Sequence, residues 1–234
     1  MRIPVITYHR VHSYATELVK SLPDLTVEPS VFFAEMKALV DNGYHSVTIR
    51  QLFDALYRGG ALPSKPVLIS ADDGYVDDVR TILPILRRFG LRATFFVITA
   101  RDTQAGFLTA SQMRELDGAG MDVEDHTMSH VDLRLRSGSV LAQQIGGSKT
   151  VLQGILGHPV SAFAYPFGAF NTAVIAAVRR AGYAMAFTTQ AGESASTASP
   201  YTIPRIHIGR SETASGLLSI LGGNLSAAQS SSAG

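Results

Sequence analysis

The chain has 234 residues, a length that indicates one large domain rather than two full ones. Hydrophobic residues make up 46% and charged residues 17%, which excludes a disordered chain. The formal net charge is +1 and no run of five like charges occurs, so a nucleic-acid partner is not expected. There is no cysteine, which excludes disulfides, thiolate metal sites and a catalytic thiol. Any metal site must therefore use imidazole and oxygen ligands.

The two ends of the chain bear on its cellular compartment and on the bounds of its domain. The N-terminal run IPVITY is too short, and too soon followed by polar residues, to be the apolar region of a signal peptide. As written, the chain is expected in the cytoplasm, whereas a chain whose leader had been removed would be extracytoplasmic and would look the same. No transmembrane segment is visible. Residues 225–234 are low in complexity and are predicted to form a disordered tail, which leaves residues 1–224 as the single folded domain.

Short β-branched or aromatic runs alternate with longer amphipathic stretches, which is typical of βα units around a parallel sheet. The predicted strands are residues 3–7, 44–48, 66–71, 93–98, 121–124, 162–165, 184–188 and 202–208. The predicted helices are residues 29–42, 49–57, 76–89, 111–119, 140–156, 172–181 and 215–221. Glycines suited to helix C-caps follow several of them: Gly43, Gly90, Gly120, Gly157 and Gly182. So many alternations in one domain favour a (β/α) barrel over an open doubly wound sheet.

Polar residues directly after the predicted strands are the candidate site residues, because the active site of either α/β architecture lies at the carboxyl ends of the strands. Five strand ends stand out, and they are expected to share one rim. Their residues are His9; Asp72 and Asp73; His126 and His130; Tyr165, Pro166 and Phe167; and Arg205 and His207.

Each cluster alone has an ordinary structural explanation, since Asp-Gly pairs form turns and a single histidine is more often a buried hydrogen-bonding residue. Together they supply the parts of a metal-assisted hydrolase. His126 and His130 are four residues apart and are expected on one side of a helical turn. With one carboxylate they complete a His-His-Asp metal site that keeps open positions. The neighbouring second carboxylate is then placed to take a proton from water.

At these residues the sequence resembles the polysaccharide deacetylase family, also called the NodB-homology domain or carbohydrate esterase family 4. Its motif T-F-D-D-G stands here as SADDG at 70–74, and H-[ST]-x-x-H stands intact as HTMSH at 126–130. The motif R-x-P-Y-G appears as AYPFG at 164–168, without its arginine. The run PVITYHRV at 4–11 resembles the opening of the poly-N-acetylglucosamine deacetylase subgroup, whose motif order is permuted.

The resemblance covers residues 3–210 and implies a distorted (β/α)7-8 barrel that removes acetyl groups from N-acetylated glycans. It implies one divalent metal ion, usually zinc, and leaves cobalt, nickel and manganese open. By position, Asp73, His126 and His130 look like the metal ligands, and Asp72 looks like the catalytic base.

The same resemblance implies roles for the remaining candidates. Phe167 replaces the tyrosine whose backbone N–H helps to stabilise the oxyanion, in a turn shared with Tyr165 and Pro166. Arg205 is expected to stand in for the absent motif arginine. In the subgroup the acid histidine comes from the first strand, which favours His9, with His207 as the alternative.

Other functions use the same apparatus and stay open at this point. An O-acetyl esterase or a hydrolase of small cyclic amides would need the same metal site. A carbohydrate-binding protein without turnover would explain the absent arginine and the unusual Glu124-Asp125 that precedes His126. Those two carboxylates are expected to tighten metal binding or to change which metal is chosen. Phe107 and Phe170, with Tyr165, are candidate sugar-stacking residues for which core packing is the more ordinary reading.

Overall fold

The computed structural model describes residues 3–15, 23–189 and 200–230, and of residues 223–230 only the backbone. Its strands are β1 (Val5–Tyr8), β2 (Arg10–Val11), β3 (Thr26–Val27), β4 (His45–Ser46), β5 (Pro66–Asp73), β6 (Thr94–Val97), β7 (Asp122–Asp125), β8 (Ala162–Ala164), β9 (Met185–Thr188), β10 (Ile203–Pro204) and β11 (Ile206–His207). Its helices are α1 (Pro29–Asp41), α2 (Ile49–Tyr57), α3 (Leu83–Phe89), α4 (Ala110–Gly118), α5 (Gly138–Ala142), α6 (Ser148–Leu156), α7 (Thr172–Arg180) and α8 (Ala214–Ser230).

The parallel strands form one sheet in the order β10-β9-β8-β7-β6-β5-β1-β11, with β4 pairing β5. Strands β10 and β11 are successive pieces of the chain, separated by Arg205, yet they pair with opposite ends of the sheet. Ile203 pairs with Phe187 of β9, and Ile206 pairs with Ile6 of β1. The sheet is therefore nearly closed, and the predicted (β/α)7-8 barrel class is confirmed.

Side-chain alternation along the strands divides the apolar core into two layers. One cluster includes Leu68, Phe96 and Phe187 from different strands and is covered by residues of α2, so it fills the inside of the barrel. The other cluster includes the neighbouring Ile69 and Phe95 together with residues of the other helices, so it lies between sheet and helices. Because β5 alternates in this way, its polar residues two and four positions after Leu68 also face the barrel interior.

Helix ends follow local sequence signals. Capping boxes start α2 at Thr48 and α4 at Thr109. In each box the Thr hydroxyl accepts a hydrogen bond from the backbone N–H of the Gln three residues later, and the side-chain oxygen of that Gln accepts one from the Thr N–H. The five glycines that predicted helix ends all have φ between 65° and 80°, which a side chain with a Cβ atom disfavours. They are Gly43, Gly90, Gly120, Gly157 and Gly182.

Several elements differ from the predictions. The predicted strand 44–48 is only the two-residue β4, and the predicted strand 202–208 is divided at Arg205. The predicted helices 76–89 and 140–156 each contain a π-helical turn, at Asp78–Ile82 and Gln143–Gly147. A π turn inserts one residue without changing the hydrophobic period enough to be read from sequence.

The C-terminal helix is longer than the predicted 215–221. Helix α8 runs over Ala214–Ser230 and so enters the stretch 225–234 that was predicted to be a tail, while residues 231–234 lie outside the described residues. No helix in the described part of the chain has both the length and the apolar character needed to cross a membrane.

A buried carboxyl in the core gives a pH-dependent stability prediction. Glu35 of α1 is fully buried and accepts a hydrogen bond from the Tyr8 hydroxyl at 3.0 Å. Burial, opposed by that hydrogen bond and assisted by the charge of Glu212, raises the pKa of Glu35 to about 7. A pKa raised on folding contributes stability that is fully present below the unfolded value of about 4.3 and is lost as pH rises towards the folded value.

The variant Glu35→Gln has no charge to bury at any pH. We expect it to be more stable than the wild type by up to roughly 3 kcal/mol at pH 8, and to lose that advantage at pH 4. Urea unfolding of both proteins at the two pH values measures this difference. An equal difference in the free energy of unfolding at both pH values would contradict the raised pKa.

Candidate active site

A cavity of about 360 Å³ opens at the carboxyl ends of the strands. All five strand ends singled out from the sequence contribute residues to the lining of this cavity. The last of them also carries Arg205, which is buried and pairs with Asp72. The predicted site residues in the lining are His9, Asp72, Asp73, His126, His130, Tyr165, Phe167 and His207.

Asp73, His126 and His130 form a compact donor set in this cavity. Oδ1 of Asp73 lies 3.6 Å from Nε2 of His126 and 3.4 Å from Nε2 of His130. One ligand atom from each residue lies within 4.8 Å of the others. Oδ1 is buried and accepts no hydrogen bond from any residue that the structure describes. A buried carboxylate oxygen aimed at two imidazole nitrogens fits a divalent cation that prefers nitrogen and oxygen ligands.

The two imidazoles are held in the state that a metal requires. Nδ1 of His126 lies 2.8 Å from the Ala164 carbonyl oxygen, and because a carbonyl only accepts, Nδ1 carries the proton. The lone pair of Nε2 is thereby left on the side facing Asp73. Burial lowers the pKa of His126 to about 3 and also lowers the pKa of His130, so both rings are neutral at pH 7.

The prediction that His126 and His130 share a helical turn is wrong. After β7 the chain forms an irregular loop in which Thr127 has φ 72° and His130 has φ 56°. The Asp125 carboxylate accepts from the Thr127 N–H at 2.7 Å, and the Thr127 hydroxyl accepts from the His130 N–H at 2.9 Å. These bonds turn the loop back on itself, so the two imidazoles meet with ring centroids 4.9 Å apart.

Backbone strain is concentrated at this rim. Among the described residues other than glycine, five have positive φ, and Asp73, Thr127, His130 and Phe167 are four of them. Such conformations cost about 1–3 kcal/mol each and persist where the surroundings hold them. For Asp73, φ of 75° at the end of β5 turns the side chain away from the alternation of the strand.

Asp72 is paired with Arg205 in the barrel interior. Both are 2% exposed, and the guanidinium donates to the two carboxylate oxygens at 2.7 and 2.6 Å. Arg205 also donates to the Thr7 hydroxyl at 3.2 Å. Burial alone would raise the pKa of Asp72, but the charge of Arg205, assisted by His126, outweighs it and holds the pKa well below its usual range. Asp72 is therefore a carboxylate at every pH near neutrality.

The two candidate acid histidines lie side by side. His9 and His207 meet edge to face with ring centroids 5.2 Å apart. Nδ1 of His9 is buried and has no partner among the described residues, whereas His207 is exposed at the mouth of the cavity. Burial lowers the pKa of His9, and the nearby charges of Asp72 and Asp73 partly oppose that change.

The turn after β8 brings its backbone to the cavity. Phe167 has φ 58° and is 65% exposed, and its ring centroid lies 4.6 Å from that of His130. The N–H of Gly168 donates to the Tyr165 carbonyl at 2.8 Å, and a Cβ atom at Gly168 would collide with Thr189. Tyr165 is fully buried and its hydroxyl donates to the Tyr201 carbonyl at 3.0 Å, so it packs as a wall of the cavity.

Residues 59–186, more than half of the chain, match the family model described as polysaccharide deacetylase. This chain belongs to the polysaccharide deacetylase family. As a member of that family it is a hydrolase that deacetylates carbohydrate. The match covers the strand ends that carry Asp73, His126 and Phe167, and it confirms the resemblance drawn from their motifs.

Two sequence relatives match most of the length of this chain. The Bacillus subtilis (strain 168) protein YxkH, named as a polysaccharide deacetylase, is 29% identical over 207 residues, which are 88% of this chain and 71% of that protein. The poly-β-1,6-N-acetyl-D-glucosamine N-deacetylase of Staphylococcus aureus (strain MRSA252) is 22% identical over 225 residues, with 87% of this chain and 77% of that protein covered.

Solved structures show the same barrel. The Streptococcus pyogenes deacetylase PplD, in complex with acetate, superimposes with a TM-score of 0.88 at 28% identity, over 94% of this chain and 98% of that one. A polysaccharide deacetylase from Bacillus cereus superimposes with a TM-score of 0.84 at 28% identity, over 94% and 69% of the two chains.

Glu124 and Asp125 hold backbone and hydroxyl groups around the site of this deacetylase. Glu124 accepts hydrogen bonds from the N–H groups of Ser161 and Ala162 at 2.9 and 2.7 Å, which fixes the start of β8. Asp125 accepts from the Tyr183 hydroxyl at 2.7 Å, in addition to its bond from the loop. Neither carboxylate joins the His-His-Asp cluster among the described residues. Because their oxygens are used by backbone and hydroxyl donors, neither is a metal ligand in this arrangement, and the expectation that they tighten metal binding or change which metal is chosen stays a prediction.

Proposed function

We propose that the protein is a metal-dependent hydrolase that removes N-acetyl groups from N-acetylglucosamine-type poly- or oligosaccharides. The observation that carries this proposal is the cavity in which the buried Oδ1 of Asp73 faces two imidazoles beside the ionised Asp72. The name of the Staphylococcus aureus relative, a poly-β-1,6-N-acetyl-D-glucosamine N-deacetylase, supports the substrate class.

Asp73, His126 and His130 are the residues that would hold the metal ion. Two neutral imidazoles and one carboxylate form a ligand set typical of catalytic zinc, and cobalt, nickel or manganese ions also bind to such ligands. When bound there, such an ion polarises an acyl oxygen and lowers the pKa of water.

Asp72 is the general base of the proposed reaction. It lies next to Asp73 in the chain and lines the same cavity, where a water molecule attacking the acetyl carbon would meet it. The bidentate pair with Arg205 holds the carboxylate in one orientation and keeps it ionised, so it is ready to accept a proton. Arg205 therefore acts as a positioning residue rather than as a group that contacts the substrate.

The turn at Phe167 supplies the oxyanion donor. Charge develops on the acetyl oxygen as the carbonyl carbon becomes tetrahedral, and a fixed backbone N–H stabilises it without reorganisation. Phe167 is held at φ 58° beside His130, so its N–H belongs to a rigid turn at the cavity. A backbone donor is independent of the missing phenol hydroxyl, which is why phenylalanine serves here.

His9 is the general acid that protonates the departing amine. It follows β1, lines the cavity, and has a buried Nδ1 that forms no hydrogen bond with any described residue. His207 lies further out, where it contacts the His9 ring and solvent. We expect His9→Ala to lower kcat by about 10²- to 10⁴-fold and His207→Ala to lower it by less than tenfold.

Acetate release at saturating substrate, with metal content measured on the same samples, compares the two variants. Retained metal in His9→Ala separates loss of the acid from loss of the site. If His207→Ala gave the larger fall in kcat, the roles of the two histidines would be reversed.

The substrate class is tested by acetate release from N-acetylglucosamine oligosaccharides and from acetylxylan. The proposal predicts faster release from the amide substrates. Faster release from acetylxylan would assign an O-acetyl esterase to the same site. Release from neither, with tight glycan binding, would indicate a carbohydrate-binding protein without turnover.

A further inference from the structure

The loop that carries both imidazoles is held by hydrogen bonds to its main chain on two sides. We call residues 126–130 the histidine loop. On one side, two of its carbonyl groups accept from N–H groups of the 3₁₀ turn Thr99–Arg101, at 3.2 and 2.9 Å. On the other side, its N–H groups at Met128 and Ser129 both donate to Gln144. The histidine loop therefore lies between the turn after β6 and the element that contains Gln144.

Gln144 binds the histidine loop with its main chain and with its side chain. Its carbonyl oxygen accepts from the Met128 N–H at 3.1 Å. Its side-chain Oε1 accepts from the Ser129 N–H at 3.1 Å, and its Nε2 donates to the Ser129 hydroxyl at 2.9 Å. Gln144 is 8% exposed, so losing these bonds would leave buried polar groups unpaired. Both N–H groups lie between the two imidazoles in the chain.

A π-helical turn frees the carbonyl that binds the histidine loop. Gln144 belongs to the turn Gln143–Gly147, which lies between α5 and α6. In an α-helix its carbonyl would accept from the Ser148 N–H, four residues later. Here that N–H donates to the carbonyls of Gln143 and Ile145 instead, so the Gln144 carbonyl is available to the histidine loop. Such π turns occur frequently at functional sites, and this one binds the chain between two proposed metal ligands.

The residue that follows the π turn also braces the start of the histidine loop. The Ser148 hydroxyl lies 3.0 Å from Oδ1 of the buried Asp125. The same oxygen accepts from the Thr127 N–H at 2.7 Å. Because Asp125 directly precedes His126, the loop is fixed where it begins as well as between its histidines.

We propose that the π turn holds the histidine loop in the shape that brings both imidazoles to Asp73. Gln144 is the positioning residue through which the turn acts. This inference rests on the proposed function and assigns a role to a residue outside the proposed ligand set. The loop has positive φ at Thr127 and His130, a conformation that persists only where the surroundings hold it. The bonds to Gln144 supply that hold, so the ligand atoms are in place before a metal ion binds.

The test measures zinc affinity and loop protection in Gln144→Met, which keeps an unbranched side chain but loses its hydrogen bonds to Ser129. Competition with a chelator is expected to give a zinc dissociation constant about 10- to 100-fold above that of the wild type. Amide hydrogen exchange of the metal-free variant is expected to be about tenfold faster at the Ser129 N–H. The visible spectrum of the cobalt-loaded variant should also change, because it reports the geometry of the ligands.

Two further variants separate positioning from general stability. Gln153→Met removes a similar bond elsewhere, because Gln153 of α6 accepts from the Val160 N–H at 3.1 Å and does not line the cavity. Its free energy of unfolding is expected to fall, but its zinc affinity and Ser129 exchange should equal those of the wild type. Gln144→Glu retains oxygens that accept from Ser129 and is expected to restore the protection lost in Gln144→Met. This variant is compared by exchange alone, because its added charge would itself attract a metal ion.

A zinc dissociation constant in Gln144→Met within about threefold of the wild-type value, with unchanged Ser129 exchange, would overturn the inference. Equal changes in Gln153→Met would also overturn it, because the effect would then be one of stability. If the wild type bound no zinc, the proposed metal site would be contradicted, and exchange of the metal-free proteins would still decide the role of Gln144. Faster Ser129 exchange in Gln144→Met alone supports that role, and equal exchange in all the proteins overturns it.

Discussion

Replacing Asp72 by Asn is expected to lower kcat for acetate release by about 10²- to 10⁴-fold while the metal stays bound. The amide has the shape of the carboxylate but cannot accept a proton from attacking water. The proposed ligands Asp73, His126 and His130 are unchanged in this variant, so its metal content should equal that of the wild type. Acetate release at saturating substrate and elemental analysis of the same sample measure the two quantities.

The control for this variant must also disturb a buried ion pair. Asp77→Asn does so, because Asp77 is 3% exposed and pairs with Arg10 at 3.1 Å. Its kcat is expected to stay within tenfold of the wild type. A fall of less than tenfold in Asp72→Asn, at full metal content, would remove Asp72 from the role of base.

Replacing Arg205 by Met is expected to destabilise the protein by about 3–5 kcal/mol, because it leaves the buried Asp72 carboxylate without its cation. Asp72 is 2% exposed, so water cannot replace the two hydrogen bonds that the guanidinium donates. Equilibrium urea unfolding at pH 7 measures the change in the free energy of unfolding.

The double variant Arg205→Met with Asp72→Leu removes the buried charge as well as its partner. We expect it to recover most of the lost stability, since an apolar pair of similar volume often replaces a buried ion pair without cost. A loss of less than 1 kcal/mol in Arg205→Met alone would show that the pair does not hold the closing segment of the barrel.

Most of the fold could be predicted because its signals are local. Amphipathic periodicity and C-cap glycines act within a few residues of the chain, and the predicted helices 29–42, 49–57 and 172–181 agree with α1, α2 and α7 to within one residue. The division of the last strand at Arg205 could not be predicted. It depends on β10 and β11 meeting strands at opposite ends of a sheet that only exists after closure.

The candidate site, too, could be predicted from the sequence only in part. Its proposed ligands stand in short motifs, so their identities follow from the sequence, but the path of the chain between His126 and His130 does not. That path depends on bonds from Asp125 and Thr127 that favour positive φ over a helical turn. Neighbouring side chains such as Thr7 and Tyr75 could not be identified from the sequence either, because their contacts join residues that are far apart in the chain.

Thr7 illustrates what strand register adds. It pairs with Ser70 of β5 and with His207 of β11, and it accepts from Arg205. Alternation along β1 indicates that Thr7 shares a face with Val5 in the barrel interior, but the sequence alone does not give the partners. The stack of Tyr75, Phe107 and Arg101 likewise joins residues that no local motif links.

The central claim is that a metal ion held by Asp73, His126 and His130 is required for deacetylation. It is tested most directly by measuring metal per protein and acetate release from N-acetylglucosamine oligosaccharides before chelation, after chelation and after zinc is returned. We predict about one equivalent of divalent metal, loss of acetate release with the metal, and recovery with zinc. Undiminished acetate release from the metal-free protein would contradict the account.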